Sequence, residues 1–355
     1  FLGLVLYGEK RLGKKAHLAS TIALWLGSWL SGYFIVATNA FMQHPVGYTV
    51  VDGRLQLSDL GAFLLNPWAL AAYAHTMSGA VVTGAFFMTA IGAFWTLAGL
   101  HAEHARLALR TGVSVGLIAC CTQLFPTADL QGKLVAQHQP VALAAMEGVF
   151  ESKQHAGVAL IGQPNLAAGR LDNPIEVPYV LSFLAYGSFG STVRGLNEFS
   201  ADVRPDNIEL LYYAYHVMAG LGTLFIALMA LGLLQLVRKK LDTTRPLLWA
   251  LMLSLPFPYI ANTAGWMTAE LGRQPWLVYG LFRTEHGTSP HVGAGDTLFS
   301  LVGFAGIYFV VGVLFLVLVG REIAHGPGAH GHDAHGHDAH APEGPTPAPA
   351  AAGGH

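Results

Sequence analysis

Glu270 ends a charge-free run from Pro246 to Ala269. Crossing a bilayer takes roughly 20 apolar residues, so the run is long enough to span one. A carboxylate at that boundary is costly unless it is paired, coordinated or functional. Trp266 stands one helical turn before it and shares its face, and the turn Gly272-Arg273-Gln274-Pro275 follows with a fixed cation. Glu270 therefore reads either as a side chain reaching the interface beside Arg273 or as a ligand. His75 lies about two turns inside another apolar run, roughly 10 Å deep. Ser78, Gly79, Ala80 and Gly84 beside it leave room for a flat macrocycle or a close helix neighbour. A lone membrane histidine fits a hydrogen-bonded core residue as well as a ligand. Met218 follows Tyr212, Tyr213, Tyr215 and His216 in a third run, and its spacing alone reads as core filler. Ser31 and Asn39 are polar positions in a fourth run, where such residues often only bond across helices.

The elements that carry these residues are membrane spans. Charge-free runs cover 16–51, 60–102, 111–128, 210–237, 246–269 and 297–320, and each can hold one helix. With 53% hydrophobic and 11% charged residues, the chain is too apolar for an ordinary soluble domain. Its net charge of −2, without a basic patch interleaved with aromatics, gives no sign of a nucleic-acid partner. Adjacent Cys120 and Cys121 make no disulfide framework and read as packing residues. The clusters Lys10/Arg11/Lys14/Lys15, Arg106/Arg110, Arg238/Lys239/Lys240/Arg245 and Arg321 fall on one side of six alternating crossings. The positive-inside rule makes that side cytoplasmic, so loops 44–66, 126–206 and 270–294 face outward. His75, Met218 and Glu270 then share the outer half of the membrane.

Several of these stretches are specific. Trp266-Met-Thr-Ala-Glu270-Leu-Gly-Arg273-Gln274-Pro-Trp276, Ala74-His75-Thr-x-x-Gly79, Val36-Ala-x-Asn39-x-x-Met42-Gln43-x-Pro45 and Leu143-Ala-Ala-Met-Glu147 resemble subunit I of the cytochrome bd quinol oxidases. The resemblance runs from Phe1 to about Gly320. It implies that His75 and Met218 are the axial ligands of a low-spin haem b, and that Glu270 ligates a high-spin haem b. A His/Met pair favours ferrous iron and passes electrons without binding O2, whereas a single carboxylate leaves the opposite face open. Trp266, Arg273, Gln274 and His216 belong to the haem surroundings on this reading. Ser31 and Asn39 would serve proton movement, and Glu147 would accept a proton from quinol. Read without the resemblance, Glu147 is a solvated loop glutamate.

Two departures stand out. Family members usually carry a lysine five residues before the glutamate, where this chain has Ala142, and an arginine two residues before the methionine, where it has His216. A third haem, d or b, is expected, but its histidine ligand is not in this chain. The opening residues Phe1–Gly8 read as the tail of a helix already under way, so a fragment or one half of a split subunit is expected.

The expected fold is an all-α polytopic membrane protein, with about six transmembrane helices in a haem-binding bundle. Residues 1–125 hold the end of one helix and three spans, and 126–206 form an extracytoplasmic segment resembling the quinol loop. Residues 207–322 hold three further spans, and 323–355 form a disordered cytoplasmic tail rich in His, Ala and Pro. The expected setting is a bacterial cytoplasmic membrane. The expected partners are quinol, O2, a second oxidase subunit, possible small accessory subunits and the lipid bilayer. A diheme electron conduit without oxygen chemistry and a haemless transporter or scaffold are the competing readings.

Overall fold

The computed structural model describes residues 1–8 and 11–327. The expected tail lies outside the described residues from position 328 onward, and its first residues, 323–325, instead close a helix. The chain divides into two units, Phe1–His291 and Val292–His355.

The first unit begins with α1 (Leu2–Tyr7) and α2 (Lys14–Gln43), followed by the hairpin β1 (Tyr48–Val51) and β2 (Arg54–Leu57). Next come α3 (Leu60–Leu64), α4 (Pro67–Ala98) and α5 (Ala102–Thr122). Asn66 caps α4 by accepting from the Trp68 amide at 2.9 Å, and Pro67 occupies the first helical position. Both are standard start signals. α4 and α5 pack backbone to backbone: a Cβ on Gly112 would meet the Thr89 nitrogen at 2.9 Å and the Ala85 oxygen at 3.0 Å. In lipid, such close packing rather than water exclusion draws helices together.

The third span is longer than the charge-free run that announced it. A π-helical stretch around Pro126, with Phe125 extended at φ −140°, leads directly into α6 (Asp129–His138). The charges that seemed to end the span neutralise each other, since Lys133 donates to Asp129 one turn away at 2.7 Å. Arg106 and Arg110, expected after the second span, lie on α5 itself.

After α6 come α7 (Pro140–Glu147), β3 (Lys153–Gln154), β4 (Val158–Asn165), β5 (Arg170–Val177), α8 (Val180–Tyr186) and β6 (Thr192–Val193). β4 and β5 form an antiparallel hairpin with Val158 opposite Val177, and β3 pairs with β6. α7 is buried from Val141 to Glu147 within a core that includes Ala136, Leu181, Leu196 and Leu211.

α9 (Ile208–Val237) and α10 (Arg245–Leu253) lead to α11 (Phe257–Arg273). The fifth span is thus two helices. Pro256 and Pro258 lack the amide hydrogens a continuous helix requires, and Pro256 becomes the cap of α11. Gly272 and Arg273, expected in a turn, form its last residues. The strands β7 (Trp276–Val278) and β8 (Phe282–Arg283) follow.

In the second unit, α12 (Ala294–His325) is one long apolar helix. Six helical segments among the described residues are long and apolar enough to cross a membrane, and the fold is mostly helical.

Candidate functional site

α2 and α11 end beside each other, and there Glu270 meets two partners. Asn39 donates its amide to Glu270 Oε1 at 2.7 Å, and Arg273 donates to Oε2 at 2.5 Å. Gln274 donates to the Glu270 carbonyl at 3.3 Å and accepts from Thr284 Oγ1 at 2.8 Å, which braces the end of α11. Gln43 adds a second tie from α2, donating to the Ala269 carbonyl at 3.0 Å. Arg273 is only 4% exposed, and its Nε and Nη1 have no hydrogen-bond partner among the described residues. A buried guanidinium with two unused donors matches an anionic, bidentate group such as a carboxylate. Trp266, one turn back on α11, is 41% exposed.

His75 faces the break in the third span. Thr127 spends its hydroxyl proton on the carbonyls of Thr122 and Gln123, at 3.1 and 2.9 Å. Its oxygen, 3.2 Å from His75 Nδ1, is therefore left to accept. The Gln123 carbonyl oxygen accepts from Ser78, which turns the amide nitrogen toward His75 Nε2 at 3.0 Å. The network thus assigns the proton to Nδ1 and a lone pair to Nε2, the neutral tautomer a metal ligand requires.

Met218 lies on the other neighbour of α11. A Cβ on Gly265 would meet its sulfur at 2.9 Å, so the glycine leaves the space the thioether fills. His216, two residues earlier, has both ring nitrogens at backbone carbonyls, Tyr212 and Ala159, each at 2.8 Å. It ties α9 to strand β4.

Glu147 ends α7 and is 3% exposed, so the solvated-loop alternative does not hold. Its Oε1 accepts from the Tyr215 hydroxyl at 2.5 Å, while Oε2 is buried with no partner among the described residues. Burial pushes the carboxyl up to about 7, against the pull of the Tyr215 hydrogen bond. Ala142, on the same helix, lies over Gly272 of α11, where an added Cβ would meet the Ala142 methyl at 3.4 Å.

Hydrogen bonds join Glu270, Asn39, Arg273 and Gln274 in one cluster. His75 and Glu147 each stand in a separate network, and Met218 fills the space over Gly265. Ser31 is not in these clusters; it lies exposed on α2, about 12 Å along the axis from Asn39. Sequence reasoning passed over Gln123, Thr127 and the Gln43–Gln139 pair, in which Gln139 donates to Gln43 Oε1 at 2.9 Å. A polar amide such as Gln123 inside a charge-free run was the available signal. The His44 and His138 rings lie tilted against each other, centroids 4.0 Å apart, and burial followed by the neighbouring His138 holds the His44 imidazole below its usual range.

Residues 1–327 match the family described as cytochrome bd terminal oxidase subunit I. Cytochrome bd ubiquinol oxidase subunit 1 of Bacillus subtilis (strain 168) is 35% identical over 343 residues, covering 92% of this chain and 71% of that protein. Cytochrome bd-II ubiquinol oxidase subunit 1 of Escherichia coli (strain K12) is 26% identical over 396 residues, covering 93% and 77%. The solved bd oxidase of Geobacillus thermodenitrificans superposes with a TM-score of 0.83 at 31% identity, over 92% of this chain and 74% of that one. With its six candidate spans, the protein is a multi-pass protein of the bacterial cytoplasmic membrane. The chain belongs to the cytochrome bd terminal oxidase subunit I family.

Proposed function

We propose that this chain is the electron-input subunit of a respiratory quinol:O2 oxidoreductase. It oxidises quinol at the outer face, in the 126–206 segment, and His75 and Met218 would hold a low-spin haem b that would supply electron transfer inward. Glu270 would hold a high-spin haem b, which together with a third haem (d or b) would supply the oxygen chemistry. A second oxidase subunit and small accessory subunits complete the complex. Protons for oxygen reduction come from the inside, so turnover generates a proton-motive force. The family is one of quinol oxidases and implies haem cofactors.

When bound, the haems supply one-electron transfer and oxygen chemistry. The chain's own residues hold and orient them. Thr127 fixes the His75 tautomer, Gly265 makes room for the Met218 thioether, and Asn39 and Arg273 hold the Glu270 carboxylate. Glu147 takes the first proton released by quinol, at Oε2. Trp266, Gln274 and His216 line the haem surroundings, while Asn39 and Ser31 serve proton movement.

The observation that carries this reading is Arg273, a buried cation beside Glu270 whose Nε and Nη1 have no partner among the described residues. They suit the carboxylates a haem presents, and a haemless scaffold has no use for them. One finding favours a second reading, a diheme conduit fed by another donor. Ala142 is packed on Gly272 and His216 is bonded to two carbonyls, so neither supplies a free cation.

Reduced-minus-oxidised absorbance of the complete purified complex, followed by quinol-dependent O2 uptake, tests both. Haem b bands that lose their low-spin component in Met218→Ala, with quinol-driven uptake, are expected. Bands without uptake leave the conduit, and no haem absorbance ends both readings.

A further inference from the structure

We propose that Tyr215 is a positioning residue for quinol oxidation: its hydroxyl occupies one oxygen of Glu147 and keeps that carboxyl ready to take a proton on the other. This rests on the proposed role of Glu147 and extends it to a side chain that role does not involve.

The geometry divides the carboxyl into two halves. Oε1 accepts the Tyr215 O–H at 2.5 Å, a charge-assisted contact that favours the ionised form. Oε2 is buried and has no partner among the described residues. The Tyr212 hydroxyl, one turn before Tyr215 on α9, is buried and unpartnered as well. The Tyr212 ring edge packs on the residue after Glu147: a Cβ on Gly148 would meet Tyr212 Cε2 at 2.9 Å.

A free carboxylate oxygen and a free phenol hydroxyl on one patch make an acceptor and a donor. A hydroxyl on an aromatic ring can give its proton to Oε2 and receive the Tyr212 hydrogen bond on its own oxygen as charge develops there. The O–H bond of the dihydroxy aromatic breaks and a new one forms at Glu147. The two electrons leave by the proposed haem route, the second hydroxyl releases its proton to water at the outer face, and the product departs as the quinone.

Other ionisable groups near α7 are engaged elsewhere. On α9, the His216 ring lies tilted against Tyr212 at 3.9 Å but bonds two carbonyls. On α11, Arg273 bonds Glu270 through Nη2, and its Nε and Nη1 do not bond Glu147. On α6, Lys133 bonds Asp129, while the His138 ring packs against His44. In the 196–198 turn, Glu198 bonds Ser152 and Arg194. Tyr215 is the group that holds Glu147.

The test uses the complete oxidase, with Tyr215→Phe removing the hydroxyl and keeping the ring. Losing a donor to the ionised form makes Glu147 harder to deprotonate. The acid limb of quinol oxidation should move up by about one to two pH units, with rates below pH 7 falling about tenfold or more. Infrared titration reads the same group without turnover: the carboxyl band that Glu147→Gln deletes should shift its midpoint upward in Tyr215→Phe. Incorporating 3-fluorotyrosine, whose more acidic hydroxyl is a stronger donor, should lower that midpoint and keeps the test available if Tyr215→Phe does not assemble. An inactive Glu147→Gln beside a Tyr215→Phe with unchanged limb and midpoint overturns this inference alone. Unchanged quinol oxidation in Glu147→Gln overturns the underlying role and this inference with it.

Discussion

Asn39 and Glu270, 231 residues apart in the chain, are joined by a 2.7 Å hydrogen bond from amide to carboxylate. A span near the start of the sequence thereby fixes the angle of the acid on the fifth span. Truncating one partner leaves a carboxylate oxygen short of a donor, at about 1–3 kcal/mol. Asn39→Ala should lower the thermal midpoint of the purified complex modestly and reduce its high-spin haem absorbance. Asn39→Asp should do more harm, because it sets a second carboxylate against Glu270.

Arg273 is the other holder of that carboxylate, and its role is not served by charge alone. Lysine would keep the cation but lose the planar fork that bonds Glu270 while leaving Nε and Nη1 free. Breaking a fully buried pair costs about 3–5 kcal/mol. The Glu270 side chain is 39% exposed, so solvent screening reduces the expected loss to the low end of that range or below. Arg273→Lys should therefore assemble but retain less haem per protein, and Arg273→Gln should retain less still. Pyridine haemochrome assays on matched samples measure both.

The Glu147 carboxyl, held up to about 7 by burial, predicts a pH dependence of defined sign. Only the carboxylate accepts a proton. Its share rises as pH increases through 7 and falls about tenfold per unit below that value. Quinol oxidation should follow it, slowing on acidification, while reduction by a donor that bypasses the quinol site should not. Glu147→Gln should cut quinol oxidation by about 10²- to 10⁴-fold with haem absorbance unchanged.

The spans were legible because bilayers exclude charge, so uncharged runs mark them directly. What the runs concealed were compensated charges. Asp129 and Lys133 pair within α6, and the third span therefore continues to His138 although its charge-free run ends at Thr127 and Ala128. Glu147 reads as a loop residue because it falls in the long outer segment between two charge-free runs. It is buried because Val141–Met146 are all apolar and have a core to enter. The chemistry-bearing residues were visible by type, but their partners were not. Gln123 stands out only as an amide inside a charge-free run, and Tyr215 is one of three tyrosines at the start of α9. What distinguishes them is a contact across 68 and 48 residues of chain.

Gly265 offers a test that separates ligand placement from stability. A Cβ there would meet the Met218 sulfur at 2.9 Å, the far end of a flexible side chain. Methionine can swing aside in another rotamer, so Gly265→Ala should leave the thermal midpoint nearly unchanged. The displaced sulfur should nonetheless weaken low-spin absorbance, reproducing in part the loss expected for Met218→Ala. A variant with a full low-spin spectrum would place the thioether elsewhere.

Thr127 bears on His75 in the same way, through a proton rather than through space. Its oxygen accepts from Nδ1, so Nε2 keeps the lone pair. Removing such an outer partner commonly costs about 10- to 100-fold in metal affinity, because the ring loses both its orientation and its tautomer. Thr127→Val preserves shape and removes the acceptor. It should lower low-spin haem occupancy under dilution or mild chaotrope, while Thr127→Ser, which restores the oxygen, should recover it. Equal haem retention in Thr127→Val and the parent would mean that Gln123, at 3.0 Å from Nε2, orients the imidazole unaided.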